Sequence, residues 1–142
     1  MFRVAFLSLI FAAPIMAIPP TMPPEKLTPV KEVDPWCGIY EGIGEEGVGK
    51  TYEAIVVIRK VKSVYTVQWT IGGTAFVGIG QVVDGKLCVG WAQQKGDQVL
   101  RGCTVYESVS CSGLKGSWVS LPGDGAKHKE DLKLLKAIKA GE

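Results

Sequence analysis

One stretch of the chain matches a motif that binds phosphate. Residues 44–51, from Gly44 to Thr51, read Gly-Glu-Glu-Gly-Val-Gly-Lys-Thr and fit the P-loop pattern GxxxxGK[ST]. A P-loop must join a buried strand to a helix, because its backbone N–H groups and the helix N-terminus converge on the phosphate. The residues that follow, 52–59, are instead rich in β-branched side chains, which indicates a strand. We therefore interpret the stretch as a glycine-rich turn and expect no nucleotide to bind there.

Other groups that could perform catalysis are sparse. The only histidine, His128, lies in a lysine-rich segment without an obvious nucleophile, and a solvated side chain is the simpler interpretation. The neighbouring carboxylates Glu45 and Glu46 would point to opposite faces of an extended segment. We predict that the protein is not an enzyme and uses no cofactor.

Cysteines are the remaining reactive side chains, at Cys37, Cys88, Cys103 and Cys111. They lack the CxxC spacing of zinc sites, and one histidine cannot complete a cluster, so we expect no metal site. In an exported chain such cysteines more often form disulfides.

The N-terminus predicts export. A short basic start, Met-Phe-Arg, precedes an apolar run in which Ile15 and Ala17 suit positions −3 and −1 of a signal-peptide cleavage site. Pro14 interrupts this run, which is also short for a membrane span, although an uncleaved anchor is the alternative. Residues 18–35 contain six prolines and predict an extended linker. We expect a secreted or periplasmic protein without a membrane span after cleavage.

From Trp36 onward the sequence predicts short strands. Apolar and polar residues alternate, and turn residues separate the segments, over residues 37–42, 52–60, 64–70, 74–83, 86–93, 99–107 and 114–121. Glycines at 78 and 80 suggest a bulge or tight bend, and Asp84-Gly85 predicts a hairpin. An eighth strand beginning near Lys129 would cover the open edge, with a terminal helix as the alternative.

This spacing predicts an all-β fold, a single antiparallel up-and-down meander of about eight strands that forms a small barrel of avidin-like or lipocalin-like architecture. The expected organisation is a signal peptide at 1–17, a proline-rich linker at 18–35, the barrel domain at 36–138 and a tail at 139–142. A turn centred within residues 93–98 would place Cys88 directly opposite Cys103, and the meander would then bring Cys37 and Cys111 to one end. We expect both pairs to form disulfides that stabilise the barrel.

Aromatic residues recur along the predicted strands. They either fill the barrel or wall a cavity for one ligand, and core packing is the simpler explanation. If a cavity exists, we predict that four residues line it: Tyr65, Trp69, Trp91 and Trp118.

The glycine and aromatic spacing resembles that of small exported bacterial proteins that are labelled hypothetical or, loosely, fibronectin-binding proteins. The similar segments lie within about residues 38–135 and include Gly38-x-Tyr40, Tyr65-x-Val67-x-Trp69, Leu87-x-Val89-x-Trp91 and Leu114-x-Gly116-x-Trp118. The resemblance implies a barrel architecture and brings no functional residues with it.

Composition narrows the class of partner. A formal net charge of +2 gives no strong attraction to nucleic acid or to an anionic membrane. We expect an exported, non-catalytic binding protein that contacts an extracellular or envelope macromolecule through loops or an outer sheet face. The alternatives are a carrier of a small apolar ligand in an aromatic-lined cavity and a structural component of the envelope.

Overall fold

The computed structural model describes residues 33–139, which form a closed antiparallel barrel of eight strands. The strands are β1 (Gly38–Glu45), β2 (Thr51–Val61), β3 (Val64–Ile71), β4 (Thr74–Val83), β5 (Lys86–Lys95), β6 (Gln98–Ser110), β7 (Gly113–Leu121) and β8 (His128–Ala137). Each strand pairs with the next along the chain, and β8 pairs with β1. The predicted all-β meander and barrel are therefore confirmed. The predicted signal peptide and most of the predicted linker lie outside the described residues.

The alternation in the sequence sets the inner and outer faces of the barrel. In β3, Tyr65, Val67 and Trp69 are buried while the residues between them are more exposed. The C-terminal segment is a strand, as favoured over a helix, because Glu130 and Leu132 alternate inward in β8. β8 pairs with both β7 and β1 and so covers the edge that seven strands would have left open.

Short turns join most of the strands. Asp84 and Gly85 connect β4 to β5 with φ values of 48° and 74°, the left-handed conformation that tight hairpins need. The P-loop-like stretch joins β1 to β2, which pair antiparallel, and the Glu46 N–H donates to the Lys50 carbonyl across the loop. This segment is a hairpin connection, as predicted, and a strand rather than a helix follows it.

Of the bulge or tight bend predicted at Gly78 and Gly80, the bulge is wrong. β4 keeps an unbroken register with both of its neighbours, and the irregular positions lie in β1 and β6. A Cβ on Gly78 would lie 2.8 Å from Val89 Cγ1, and one on Gly80 would lie 2.9 Å from Val89 Cγ2. These glycines therefore leave space for a core side chain of the neighbouring strand.

The segment before β1 closes one end of the barrel. Trp36 is buried there, and its backbone N–H donates to Asp34 Oδ1 at 3.0 Å. Asp34 Oδ2 accepts hydrogen bonds from the Tyr65 hydroxyl at 2.9 Å and from Lys60 Nζ at 3.1 Å. Burial raises the pKa of Asp34, but these hydrogen bonds outweigh it and hold the pKa below its ordinary value. Asp34 was assigned to the predicted linker, yet it anchors this closed end.

The predicted disulfides are absent, and all four cysteines are free thiols. The turn between β5 and β6 consists of Gly96 and Asp97 and is centred one residue further along the chain than predicted, so the register differs from the predicted one by two positions. Cys88 consequently faces Val105, and Cys103 faces Gly90. The two cysteines are diagonal neighbours on the outer surface instead of a directly opposed pair.

The two cysteines of the second predicted pair, Cys37 and Cys111, lie in different environments. Cys37 is buried at the closed end, whereas Cys111 is exposed in the turn after β6. Burial raises the pKa of the Cys37 thiol to about 11, and the nearby Asp34 carboxylate adds to this effect.

These differences predict an order of thiol reactivity. Because alkylation needs the thiolate, iodoacetamide at pH 8 should modify Cys103 and Cys111 on the order of a hundredfold faster than Cys37. Peptide mass mapping of samples quenched over time measures the three rates. Peptides linked by Cys88–Cys103 or Cys37–Cys111 in non-reduced protein would contradict the free-thiol state.

Candidate functional site

A partly open cavity of about 140 Å³ lies in the barrel at the end opposite Trp36. Most of its wall is aromatic, with Tyr52, Trp69, Phe76, Trp91 and Trp118. Its other lining residues are Ile71, Thr104, Glu46 and Glu130. Glu46 comes from the β1–β2 loop, so the P-loop-like stretch lies at the mouth of the cavity. The barrel is thus packed at one end and hollow at the other.

Glycines on neighbouring strands make room for the large rings of this region. Gly44 is the register partner of Tyr52, and Gly102 is the register partner of Trp91. A Cβ at either glycine would overlap the opposing ring. The aromatic side chains can therefore lie flat across the inner face of the sheet, which gives the cavity its apolar wall.

The deepest polar group of the cavity is the carboxyl of Glu130, a residue that is only 2 % exposed. Its Oε1 accepts a hydrogen bond from the Tyr52 hydroxyl at 3.0 Å. Its Oε2 accepts from the Tyr106 hydroxyl and from Trp69 Nε1, the latter at 3.3 Å. Trp69 Nε1 also donates to the Tyr106 hydroxyl oxygen at 2.8 Å. Three strands, β2, β3 and β6, thus direct donors at a single buried carboxylate from β8.

Comparisons with known proteins identify no relative of this chain. No family model, curated protein or solved structure matches the chain. The resemblance to small exported bacterial proteins stays a prediction, and the site is interpreted from its own residues.

The charged residues that line this cavity are all acidic. Among the described lining residues two carry carboxyl groups, Glu130 at depth and Glu46 at the mouth, and none is basic. Burial raises the pKa of Glu130, and the hydrogen bonds from Tyr106, Tyr52 and Trp69 partly offset that rise. Burial and the Glu130 charge also raise the pKa values of Tyr52 and Tyr106, so both hydroxyls keep their protons and remain donors.

His128 supports the rim of the cavity. Its ring lies 4.4 Å from the Trp118 ring, centroid to centroid, at an interplanar angle of 31°. Its Nδ1 accepts from the Gly47 N–H at 3.4 Å, and its Nε2 lies 3.5 Å from Asp124 Oδ1. The side chain is 14 % exposed, so the expectation of a solvated histidine is wrong. It connects the β1–β2 loop to the β7–β8 loop behind an aromatic wall.

The structure brings three of the four sequence-predicted lining residues together. Trp69, Trp91 and Trp118 all line the cavity, whereas Tyr65 lies at the closed end, where its hydroxyl donates to Asp34. That these residues bind a ligand stays a prediction.

Sequence reasoning missed six of the nine lining residues: Glu46, Tyr52, Ile71, Phe76, Thr104 and Glu130. The signal for Glu130 was its position two residues before Leu132, on the inward face of the predicted last strand. The signal for Tyr52 was the alternation of inward and outward residues in β2.

Within residues 33–139, no group of three or more His, Cys, Asp or Glu side chains is placed to hold a metal ion. No helix among these residues is long and apolar enough to cross a membrane.

Proposed function

We propose that the protein is an exported, non-catalytic binding protein that holds a small molecule in the aromatic cavity at the open end of its barrel. The observation that carries this proposal is the uneven filling of the interior. Aromatic side chains that served only as core would fill the whole barrel, as they do around Trp36 and Tyr40. At the other end they surround about 140 Å³ of free space instead.

The composition of the cavity supports binding. Small-molecule sites are typically concave and apolar, with a few polar groups that orient the ligand. Here five aromatic rings provide the wall, and Glu130 and Thr104 are polar groups at depth. A volume of about 140 Å³ is close to that of an apolar cavity of about 150 Å³ that binds benzene, so the ligand should have no more than about ten non-hydrogen atoms.

Cyclohexanol is a suitable neutral probe because it is small, apolar and carries one hydroxyl. When cyclohexanol is added to the full chain, the intrinsic tryptophan fluorescence should change and reach a plateau as the site fills, since three tryptophans line the cavity. Trp91→Ala should weaken this binding by about tenfold because it removes one wall. Fluorescence titration of both proteins, with circular dichroism to verify folding, measures the effect.

Trp36→Phe is the matched control for that titration. It also removes a tryptophan, but from the closed end, so the affinity for cyclohexanol should stay unchanged. Equal affinities of folded wild type and Trp91→Ala for cyclohexanol would refute binding in this cavity.

The other interpretations from the sequence stay predictions. An outer face of β4 and β5 exposes Val77 and Ile79 beside Gly90 and Ala92, which is compatible with a macromolecular contact. Nothing in the described structure indicates what would cover that face, so we favour the cavity. A secreted or periplasmic location is part of our proposal and is supported by the signal-like residues 1–17.

A further inference from the structure

We propose that the cavity selects small organic cations, molecules with a quaternary or protonated amine, over neutral molecules of the same shape. This inference rests on the proposed small-molecule binding function and specifies the chemical class of the ligand. It follows from a carboxylate without a cationic partner and from the rings that surround the space above it.

The buried carboxylate of Glu130 lacks a charged partner among the described residues. All three groups that donate to Glu130 are neutral, and no ion pair to it occurs among the described residues. A buried charge is ordinarily paired with an opposite charge, because hydrogen bonds alone recover only part of its lost hydration. A cation in the cavity would supply the missing partner, and Glu46 would add to the attraction at the mouth.

The aromatic wall also favours a cation. Ring faces carry partial negative charge and attract cations, most strongly where water is excluded. The rings approach the cavity from different directions: Phe76 and Trp91 meet edge to face at 5.8 Å, and Tyr52 and Trp118 are tilted by 60° at 6.3 Å. A compact cation can therefore contact several rings at once.

The competing ligand classes fit less well. An anion would be repelled by Glu130 and Glu46, with no basic group among the described lining residues to offset them. A neutral apolar molecule would contact the rings but leave the Glu130 charge unpaired. The His128 ring packs against the Trp118 ring and is not among the lining residues of the cavity.

Choline and its neutral isostere 3,3-dimethyl-1-butanol test the inference. They share one shape and one hydroxyl, and they differ only in a quaternary nitrogen that is replaced by carbon. Calorimetric titration of the full chain should show at least tenfold tighter binding of choline. Glu130→Gln keeps an amide oxygen as acceptor but removes the charge, so it should bring the two affinities within about threefold of each other.

Two carboxylate variants complete the design. Glu46→Gln, in an exposed loop, should reduce the preference for choline partially, and it remains informative if Glu130→Gln fails to fold. Glu53→Gln, on the outer face of β2, should leave the preference unchanged and controls for a change in net charge.

The possible results separate this inference from the proposed function. Equal binding of both probes by wild type, or tighter binding of the isostere, overturns cation selection while small-molecule binding stands. Binding of cyclohexanol but of neither probe has the same meaning. A full preference retained in Glu130→Gln overturns the role of Glu130. Failure of all three probes overturns the proposed function itself.

Discussion

Glu130→Ala should destabilise the folded barrel by about 3–5 kcal/mol. The substitution removes the acceptor for the Tyr52 and Tyr106 hydroxyls and one of two acceptors for Trp69 Nε1. A buried donor without a partner costs about 1–3 kcal/mol, and the lost side-chain volume adds a cavity term. Urea unfolding followed by tryptophan fluorescence measures the difference.

Two carboxylate variants make this result specific. Glu130→Gln retains an acceptor oxygen at the same place and should lose much less stability than Glu130→Ala. Glu53→Ala removes an exposed carboxylate from the outer face of β2 and should change stability by no more than about 0.5 kcal/mol. A loss below about 1 kcal/mol for Glu130→Ala would mean that the buried hydrogen bonds contribute little to the fold.

The same residue gives stability a pH dependence. Burial raises the pKa of Glu130 above its ordinary value of 4.5, so the folded protein holds this proton more tightly than the unfolded chain does. Its contribution to stability is complete below pH 4.5 and is lost as the pH rises through the raised folded-state value. Wild type should therefore lose stability relative to Glu130→Gln as the pH rises above 4.5, measured by urea unfolding at each pH.

Alternation and turn residues in the sequence were sufficient to predict the strands. All eight strands begin within one residue of their predicted starts. Inward and outward residues alternate along each strand, and most of the turns between the strands contain glycine, so both signals mark the strand ends. Closure followed from the meander, because an eighth strand had an open edge to pair with. The register of β5 with β6 did not follow, since it depends on which residues form the turn. A turn centred between Lys95 and Gly96 gives the predicted register, whereas the observed turn at Gly96 and Asp97 shifts it by two positions.

The cavity was only partly predictable, for a geometric reason. Tyr65 and Trp69 share the inward face of β3 but lie four residues apart, which is about 13 Å along an extended strand. One therefore lies at the closed end and the other beside the cavity. Alternation identifies the face of a residue and leaves its depth in the barrel undetermined.

The buried position of Glu130 could not be predicted from the sequence, for an energetic reason. Charged residues are rarely buried, so a glutamate in a lysine-rich segment indicates a surface position unless its partners are known. Those partners, Tyr52, Trp69 and Tyr106, come from three other strands, and only the closed barrel brings them to one point.

Gly116→Ala should destabilise the barrel by about 2–4 kcal/mol. Gly116 is the register partner of Tyr106, and an added Cβ would lie 2.6 Å from Cδ1 and Cε1 of that ring. The same Cβ would lie 3.1 Å from the Glu130 carbonyl oxygen, so the backbone of β8 also blocks relaxation. Because Tyr106 is fully buried, its ring can move only by disturbing its neighbours. Urea unfolding measures the cost.

Gly90→Ala separates this packing effect from the general effect of adding a methyl group to a strand glycine. No heavy atom lies within 4 Å of the Cβ that Gly90→Ala would add on the outer face of β5, so stability should change by no more than about 0.5 kcal/mol. Equal costs at Gly116 and Gly90 would contradict the packing explanation.

The Tyr106→Phe background divides the cost at Gly116 into its two sources. Phenylalanine keeps the ring that the new Cβ meets but lacks the hydroxyl that donates to Glu130. If displacement of the ring also breaks that hydrogen bond, Gly116→Ala should cost about 1 kcal/mol less in Tyr106→Phe than in wild type. An unchanged cost would assign the whole effect to steric overlap and would mean that the carboxylate network moves together with the ring. Either way, the glycine opposite Tyr106 determines where the hydroxyl lies, and through it the position of the charge at the base of the cavity.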